Sequence, residues 1–202
     1  MNPEQAFAFF VFALVAAVTP GPSNVLLTAT GMQVGLLRGL PCLFGVSAGM
    51  GSMMFLGAYG FGAVVIGHPQ AMQGVRWAGA VFLLWLAWKI ASAPVDGGGS
   101  SSETRPTGFF GAAALQWVNP KAWLVSAGAV ATYLPADNGE SAPLLRATIF
   151  ALVFVSAALP SGFVWLGFGA AAQRLLSDPR RQRGFNIAMG LVLAASVAMI
   201  LR

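Results

Sequence analysis

The sequence predicts an all-α integral membrane protein in which six transmembrane helices form two inverted three-helix repeats. Hydrophobic residues make up 57% of the chain and charged residues only 8%, whereas about a quarter of an ordinary soluble domain is charged. The apolar stretches approach the ~20 residues that a helix needs to cross a bilayer, and clusters of charge and proline separate them. A soluble fold of this length could not bury so much apolar surface.

Six apolar stretches are long enough to cross a membrane. The predicted spans are residues 6–30, 40–66, 72–93, 108–133, 143–170 and 184–202. The first stretch has the position of a signal peptide, but residues 1–5 contain no Lys or Arg to form the positive n-region of such a peptide. We therefore expect the first stretch to be retained as a membrane helix.

The first predicted span is interrupted by Thr19, Pro20, Gly21 and Pro22. Proline lacks a backbone N–H and glycine is a poor helix former, so a regular helix cannot continue through this segment. Carbonyl groups that lose their partners there could accept hydrogen bonds from a substrate ammonium group. The next helix would begin near Ser23 and Asn24, with its positive dipole end facing the gap. The interruption predicts a binding site, and a proline kink used only for packing is the alternative.

The second predicted span is rich in glycine. Gly45 and Gly49 have the spacing of small residues that lets two helices approach closely. Packing within one bundle is the favoured role of this pair, and a homodimer interface is the alternative.

A glycine- and serine-rich segment, residues 96–105, is expected to be a flexible cytoplasmic linker. It separates a first three-helix repeat, residues 1–95, from a second, residues 106–202. Similar residues recur in the two halves, as where Pro69 and Pro179 occupy equivalent positions. Three spans in each half invert the second half relative to the first, as in many secondary transporters, whose binding sites lie where the repeats meet.

The fourth predicted span is interrupted by Asn119, Pro120 and Lys121, at the place that corresponds to the first interruption. Lys121 is the only Lys or Arg predicted to lie well inside a span, and a cation at that depth normally faces a cavity or a partner. We expect Asn24 and Asn119 to make polar contacts to a substrate and Lys121 to attract its carboxylate. The alternative is that Lys121 lies near the cytoplasmic interface and extends its ammonium group to the lipid headgroups.

The Lys and Arg residues between the spans are distributed unevenly. Because short cytoplasmic loops carry the excess of these residues, the richer side should face the cytoplasm and both termini should lie outside. The richer side holds Arg38, Lys89, Arg105, Arg174, Arg180, Arg181 and Arg183, and the other side holds Arg76, Arg146 and Arg202. The net charge of +5 does not predict nucleic-acid binding, because these residues form no basic stripe with interleaved aromatics.

The interruptions at residues 19–22 and 119–121 resemble the paired motifs of the LysE/RhtB family of amino-acid exporters, and the resemblance covers essentially the whole chain. It implies export of amino acids or related metabolites across the plasma (inner) membrane of a bacterium, coupled to the proton gradient. The chain departs from many members of that family because its second predicted span, residues 41–66, contains no acidic residue. This departure leaves the coupling proton without a carboxylate relay and disfavours cationic substrates.

The predicted function is a secondary transporter that exports a small amino acid or related polar metabolite by alternating access. A small channel, an accessory membrane subunit and an exporter of another kind of solute are the alternatives. An enzyme is not expected, because the chain has one His, one Cys and no acid within a predicted span to supply a nucleophile and base or a set of metal ligands. The expected partners are the lipid bilayer, a small-molecule substrate and a coupling proton, without a cofactor or metal.

Overall fold

The computed structural model of the chain describes residues 2–60, 68–93, 107–134, 143–176 and 178–200. Within these ranges the chain forms seven α-helices and no strand, which confirms the predicted all-helical class. The helices are α1 (Pro3–Val18), α2 (Pro22–Tyr59), α3 (Pro69–Ala91), α4 (Phe109–Val118), α5 (Pro120–Tyr133), α6 (Pro143–Leu175) and α7 (Pro179–Ile200).

Three predicted segments fall outside the described residues. They are the cytoplasmic linker, residues 96–105, the end of the second predicted span, residues 61–66, and the end of the sixth, residues 201–202.

Proline marks the start of almost every described helix. Six of the seven begin with this residue, which is favoured in the first turn because the N–H that it lacks would have no partner within the helix. Helix α1 also has a capping box, in which the side chain of Asn2 accepts a hydrogen bond from the backbone of Gln5 and the Gln5 side chain accepts one in return.

Helix α2 is folded back on itself at Gly35. The φ angle of Gly35 is 76°, in the left-handed region that only glycine adopts readily. Gly31 before the turn and Gly39 after it both approach Leu166 of α6, so residues equally far from Gly35 lie side by side. The two arms of α2, residues 22–34 and 36–59, are therefore antiparallel and joined by a single residue, where the sequence predicted a longer connection.

The outer surface of the bundle is apolar. Apolar stretches long enough to cross a membrane, judged by length and composition, lie within Pro22–Tyr59 and Pro143–Gln173, and α1 and α4 are shorter apolar helices. Large side chains project outward from α6, where Leu152 is 62% and Val164 is 70% exposed. Apolar patches of this extent are rare on soluble monomers, and they suit contact with lipid.

Helix α6 lies against both arms of α2, and close contacts without intervening side chains hold these helices together. A β-carbon on Gly31 would collide with the carbonyl oxygen of Leu166, and one on Gly169 would collide with the carbonyl oxygen of Thr28. Gly45 lies in the same way against the backbone of α4. Gly49 approaches the carbonyl oxygen of Ala113 on the same helix, so the pair Gly45 and Gly49 packs within the bundle, as in the favoured interpretation.

Two apolar clusters fill the interior. One surrounds the α2 hairpin together with α3, α7 and part of α6. The other lies among α1, the second arm of α2, α5 and α6, and in it the rings of Phe9 and Phe150 stack with centroids 4.1 Å apart. Residues of both clusters border the cavity that is described next.

Candidate functional site

The first helix break lies between α1 and α2, where residues 19–21 are not helical. The Nδ2 atom of Asn24 donates hydrogen bonds to the carbonyl oxygens of Ala17, at 2.9 Å, and Thr19, at 3.0 Å. Asn24 therefore satisfies carbonyl groups that the end of α1 leaves without partners, as burial in a membrane requires. Both N–H groups of its amide are used inside the chain, so the predicted contact with a substrate would have to involve its carbonyl oxygen.

The second break lies between α4 and α5, at the single non-helical residue Asn119. Its Oδ1 atom accepts a hydrogen bond of 3.1 Å from the backbone N–H of Lys121 and so caps α5. The carbonyl oxygen of Trp117 accepts one of 2.8 Å from the indole of Trp123. The backbone groups that Pro120 disrupts therefore find partners within a few residues.

Side chains from the two breaks are hydrogen-bonded to each other. The hydroxyl group of Ser23 donates to Oε1 of Gln116 at 2.8 Å, and it accepts from Nδ2 of Asn119 at 3.2 Å. Sequence analysis predicted the two breaks but missed Gln116, which is completely buried. The available signal was an amide side chain in an apolar helix, three residues before Asn119.

Lys121 extends from the second break to the first. Its Nζ atom lies 2.5 Å from the carbonyl oxygen of Thr19 and 3.5 Å from that of Pro20. The side chain crosses Gly21 so closely that a β-carbon there would lie 2.8 Å from its Cδ atom. The ammonium group therefore points to the first break. The carbonyl group of Thr19, which was predicted to lack a partner, is bonded to both Lys121 and Asn24.

A cavity of about 60 Å³ lies between the two breaks, enough space for a few water molecules or the polar end of a small solute. Its polar lining consists of Ser23, Asn24, Ser47, Asn119, Lys121 and Ser161. Gly21 also lines the cavity, whereas Thr19, Pro20, Pro22 and Pro120 shape the breaks without lining it. Sequence analysis missed Ser47 and Ser161.

The charge that the described side chains bring to the cavity is positive. Lys121 contributes a cation, and the described residues that line the cavity include no Asp, Glu, His or Cys. Ser161 is only 4% exposed, and its hydroxyl oxygen has no hydrogen-bond partner in the described part of the chain. Across the described ranges, no group of three or more His, Cys, Asp or Glu side chains could hold a metal ion.

The hydrogen bond between Ser23 and Gln116 should contribute measurably to stability. In a double-mutant cycle of Ser23→Ala and Gln116→Leu, we expect a coupling energy of about 0.6 to 1.7 kcal/mol, between the average and the maximum found for hydrogen bonds between membrane helices. Equilibrium unfolding in mixed micelles, followed by circular dichroism, would measure it. Pairing Gln116→Leu with Ser156→Ala, whose hydroxyl bonds only within its own helix, should give additive effects, and additivity in the Ser23 cycle would contradict the prediction.

Comparison with known proteins gives the family of the chain. Residues 14–201 match the profile of the LysE type translocator, a range that includes both breaks. The chain belongs to the LysE family of translocators. It is 33% identical over 197 residues to the cysteine/O-acetylserine efflux protein of Escherichia coli O1:K1, covering 96% of this chain and 97% of the relative.

Other relatives of this LysE-family protein carry the same description. The cysteine/O-acetylserine efflux proteins of Escherichia coli K12 and Shigella sonnei are each 32% identical to it over 197 residues. No solved structure matches the chain. Membership confirms the predicted family of inner-membrane amino-acid exporters, and it confirms that the protein is a translocator and not an enzyme.

Proposed function

We propose that this LysE-family protein exports a small neutral amino acid, of the cysteine or O-acetylserine type, from the bacterial cytoplasm by alternating access. The observation that carries the proposal is that two helix breaks, from opposite halves of the chain, meet at one small cavity lined by a lysine and by hydroxyl and amide side chains. The substrate type follows from the descriptions of the relatives that match nearly the whole chain.

The charges around the cavity favour a zwitterion over an amino acid with a cationic side chain. Lys121 supplies a positive charge for a carboxylate, and the start of α2 has no side-chain cap on its first N–H groups, so its dipole adds to the positive field. A second cationic group on the substrate would meet no carboxylate among the lining residues. Binding of lysine or arginine would therefore leave a charge unpaired at membrane depth.

The proposed architecture is two inverted repeats of three membrane spans. The order of elements supports it, since each half contains a broken helix, then a long helix, then a shorter one. In the first half these are α1 with the first arm of α2, the second arm of α2, and α3; in the second they are α4 with α5, α6 and α7. Alternating access, in which one group of helices moves against another around a fixed site, is a common mechanism in transporters built from such repeats.

The proposed orientation has both termini outside. Gly35, at the tip of the α2 hairpin, lies beside Gln173 near the end of α6. The hairpin tip and the connection from α6 to α7 therefore share one end of the bundle, with Arg38 and the arginines near the start of α7. An excess of arginine at this end supports its assignment to the cytoplasm.

If a proton is the coupling ion, Lys121 is the titratable side chain in the cavity lining that could carry it.

Export can be tested by measuring amino-acid pools inside and outside bacterial cells that overexpress the chain. We expect cysteine or O-acetylserine to accumulate in the medium by comparison with cells carrying an empty vector, while lysine and arginine remain unchanged. The rate should saturate as the internal pool rises, because a carrier has a limited number of sites. If no amino-acid pool differs between the two cultures, the proposal is wrong, and a rate that does not saturate would favour the channel alternative.

A further inference from the structure

The ammonium group of Lys121 is bound by main-chain carbonyl groups. Its hydrogen-bond acceptors are the carbonyl oxygens of Thr19, at 2.5 Å, and Pro20, at 3.5 Å, and within the described residues no carboxylate pairs with it. A lysine with no acidic partner at a helix break is unusual, because a charge away from water normally requires an opposite charge.

The end of α1 supplies the negative field that holds this ammonium group. The last carbonyl groups of a helix carry the negative end of its dipole, and α1 has no basic residue in its own last turn. Asn24 uses one acceptor position of the Thr19 carbonyl oxygen and Lys121 uses another. The break is thus a binding site for a primary ammonium group, formed by backbone oxygens and occupied by a side chain of the same protein.

We propose that the carbonyl groups of Thr19 and Pro20 are the subsite for the ammonium group of the exported amino acid, and that Lys121 occupies this subsite while no substrate is bound. The inference rests on the proposed function. An arriving substrate ammonium group displaces Lys121 from the carbonyl groups, and the released Lys121 ammonium pairs with the substrate carboxylate. After the substrate leaves, Lys121 returns, so the break binds one ammonium group in both states and its carbonyl groups are never left without a donor.

Gly21 is the second structural element of this exchange. The side chain of Lys121 reaches the carbonyl groups by lying across Gly21, where a β-carbon would come within 2.8 Å of Cδ and 3.1 Å of Nζ. Gly21→Ala would therefore move the lysine away from the subsite while keeping its charge in the protein. This variant separates occupancy of the subsite from the presence of the cation.

The subsite can be tested with ethylammonium, a primary ammonium ion that has no carboxylate. Binding would be measured on the full-length protein in lipid nanodiscs, from the shift of the unfolding temperature with concentration. We expect Lys121→Met and Gly21→Ala to bind ethylammonium about tenfold or more tightly than the unmutated protein, the factor that one hydrogen bond to a charged group contributes. Tetramethylammonium has the same charge but no N–H donor, and its binding should not change.

A matched lysine variant is a further control. Lys89→Met removes a lysine that lies over the ring of Trp85, away from the cavity, and it should leave ethylammonium binding as in the unmutated protein. If neither Lys121→Met nor Gly21→Ala binds ethylammonium more tightly, the proposed subsite is wrong. This failure is distinct from that of the proposed function, since cells can still export an amino acid when the subsite is wrong, and the subsite can bind ethylammonium when no amino acid is exported.

Discussion

Replacing Lys121 with alanine is expected to reduce export of the amino acid at least about 10- to 100-fold, the loss that follows from removing one hydrogen bond to a charged group. Among the described residues, Lys121 is the only charged side chain that lines the cavity, and its ammonium group connects the two breaks. The variant should still insert into the membrane, because removing a cation from a membrane segment lowers the free energy of insertion.

Export by Lys121→Ala would be measured from the medium of cells in which the variant and the unmutated protein are present at equal membrane levels. Lys89→Ala is the matched control, since it removes the same charge from the end of α3, where Lys89 lies 5.2 Å from the ring centre of Trp85. We expect Lys89→Ala to export normally. Full export by Lys121→Ala would rule out the role assigned to Lys121.

Replacing Gly169 with valine is expected to prevent stable folding. A β-carbon at this position would collide with the backbone carbonyl group of Thr28, and no rotation of a side chain can relieve a collision with backbone. Overpacking of a core typically destabilises a protein by about 1 to 3 kcal/mol, and we expect Gly169→Val to reach or exceed the upper end of this range. The helices α2 and α6 would have to separate to accept the side chain.

The matched control for this prediction is Gly167→Val, on the same helix. A β-carbon at Gly167 would meet no atom within 4 Å, although the change in helix propensity is the same. The yield of folded protein after detergent extraction and its unfolding temperature would be compared for the two variants. Equal yields and equal unfolding temperatures would show that the close contact between α2 and α6 does not contribute to folding.

The helix breaks could be predicted from the sequence because their causes are local. Pro20 and Pro22 lack N–H groups wherever the chain places them, and Pro120 has the same effect in the second half. The turn at Gly35 could not be predicted in the same way, because many glycines of this chain lie inside helices and only the packing of both arms against α6 selects the one that reverses the chain.

The partners of the site residues could not be predicted, because they depend on how the two halves meet. A lysine in an apolar span indicates a cavity, but the sequence does not say that the Lys121 ammonium lies on the carbonyl oxygen of Thr19. Gln116 and Ser161 are polar residues within apolar stretches of their helices, and such residues often bond to their own backbone. The substrate contacts assigned to Asn24 and Asn119 remain predictions, to which the structure adds a role in satisfying the breaks.

The glycine contacts also determine which parts of the bundle can move. Helices α2, α4 and α6 touch backbone to backbone at Gly31, Gly45 and Gly169, and such surfaces cannot slide without collision, so we expect these three helices to behave as a fixed frame. Each break joins a helix of the frame to a helix outside it, α1 in one half and α5 in the other. Lys121, at the start of α5, is bonded to the carbonyl oxygen of Thr19 at the end of α1. We therefore expect this one side chain to make α1 and α5 move together.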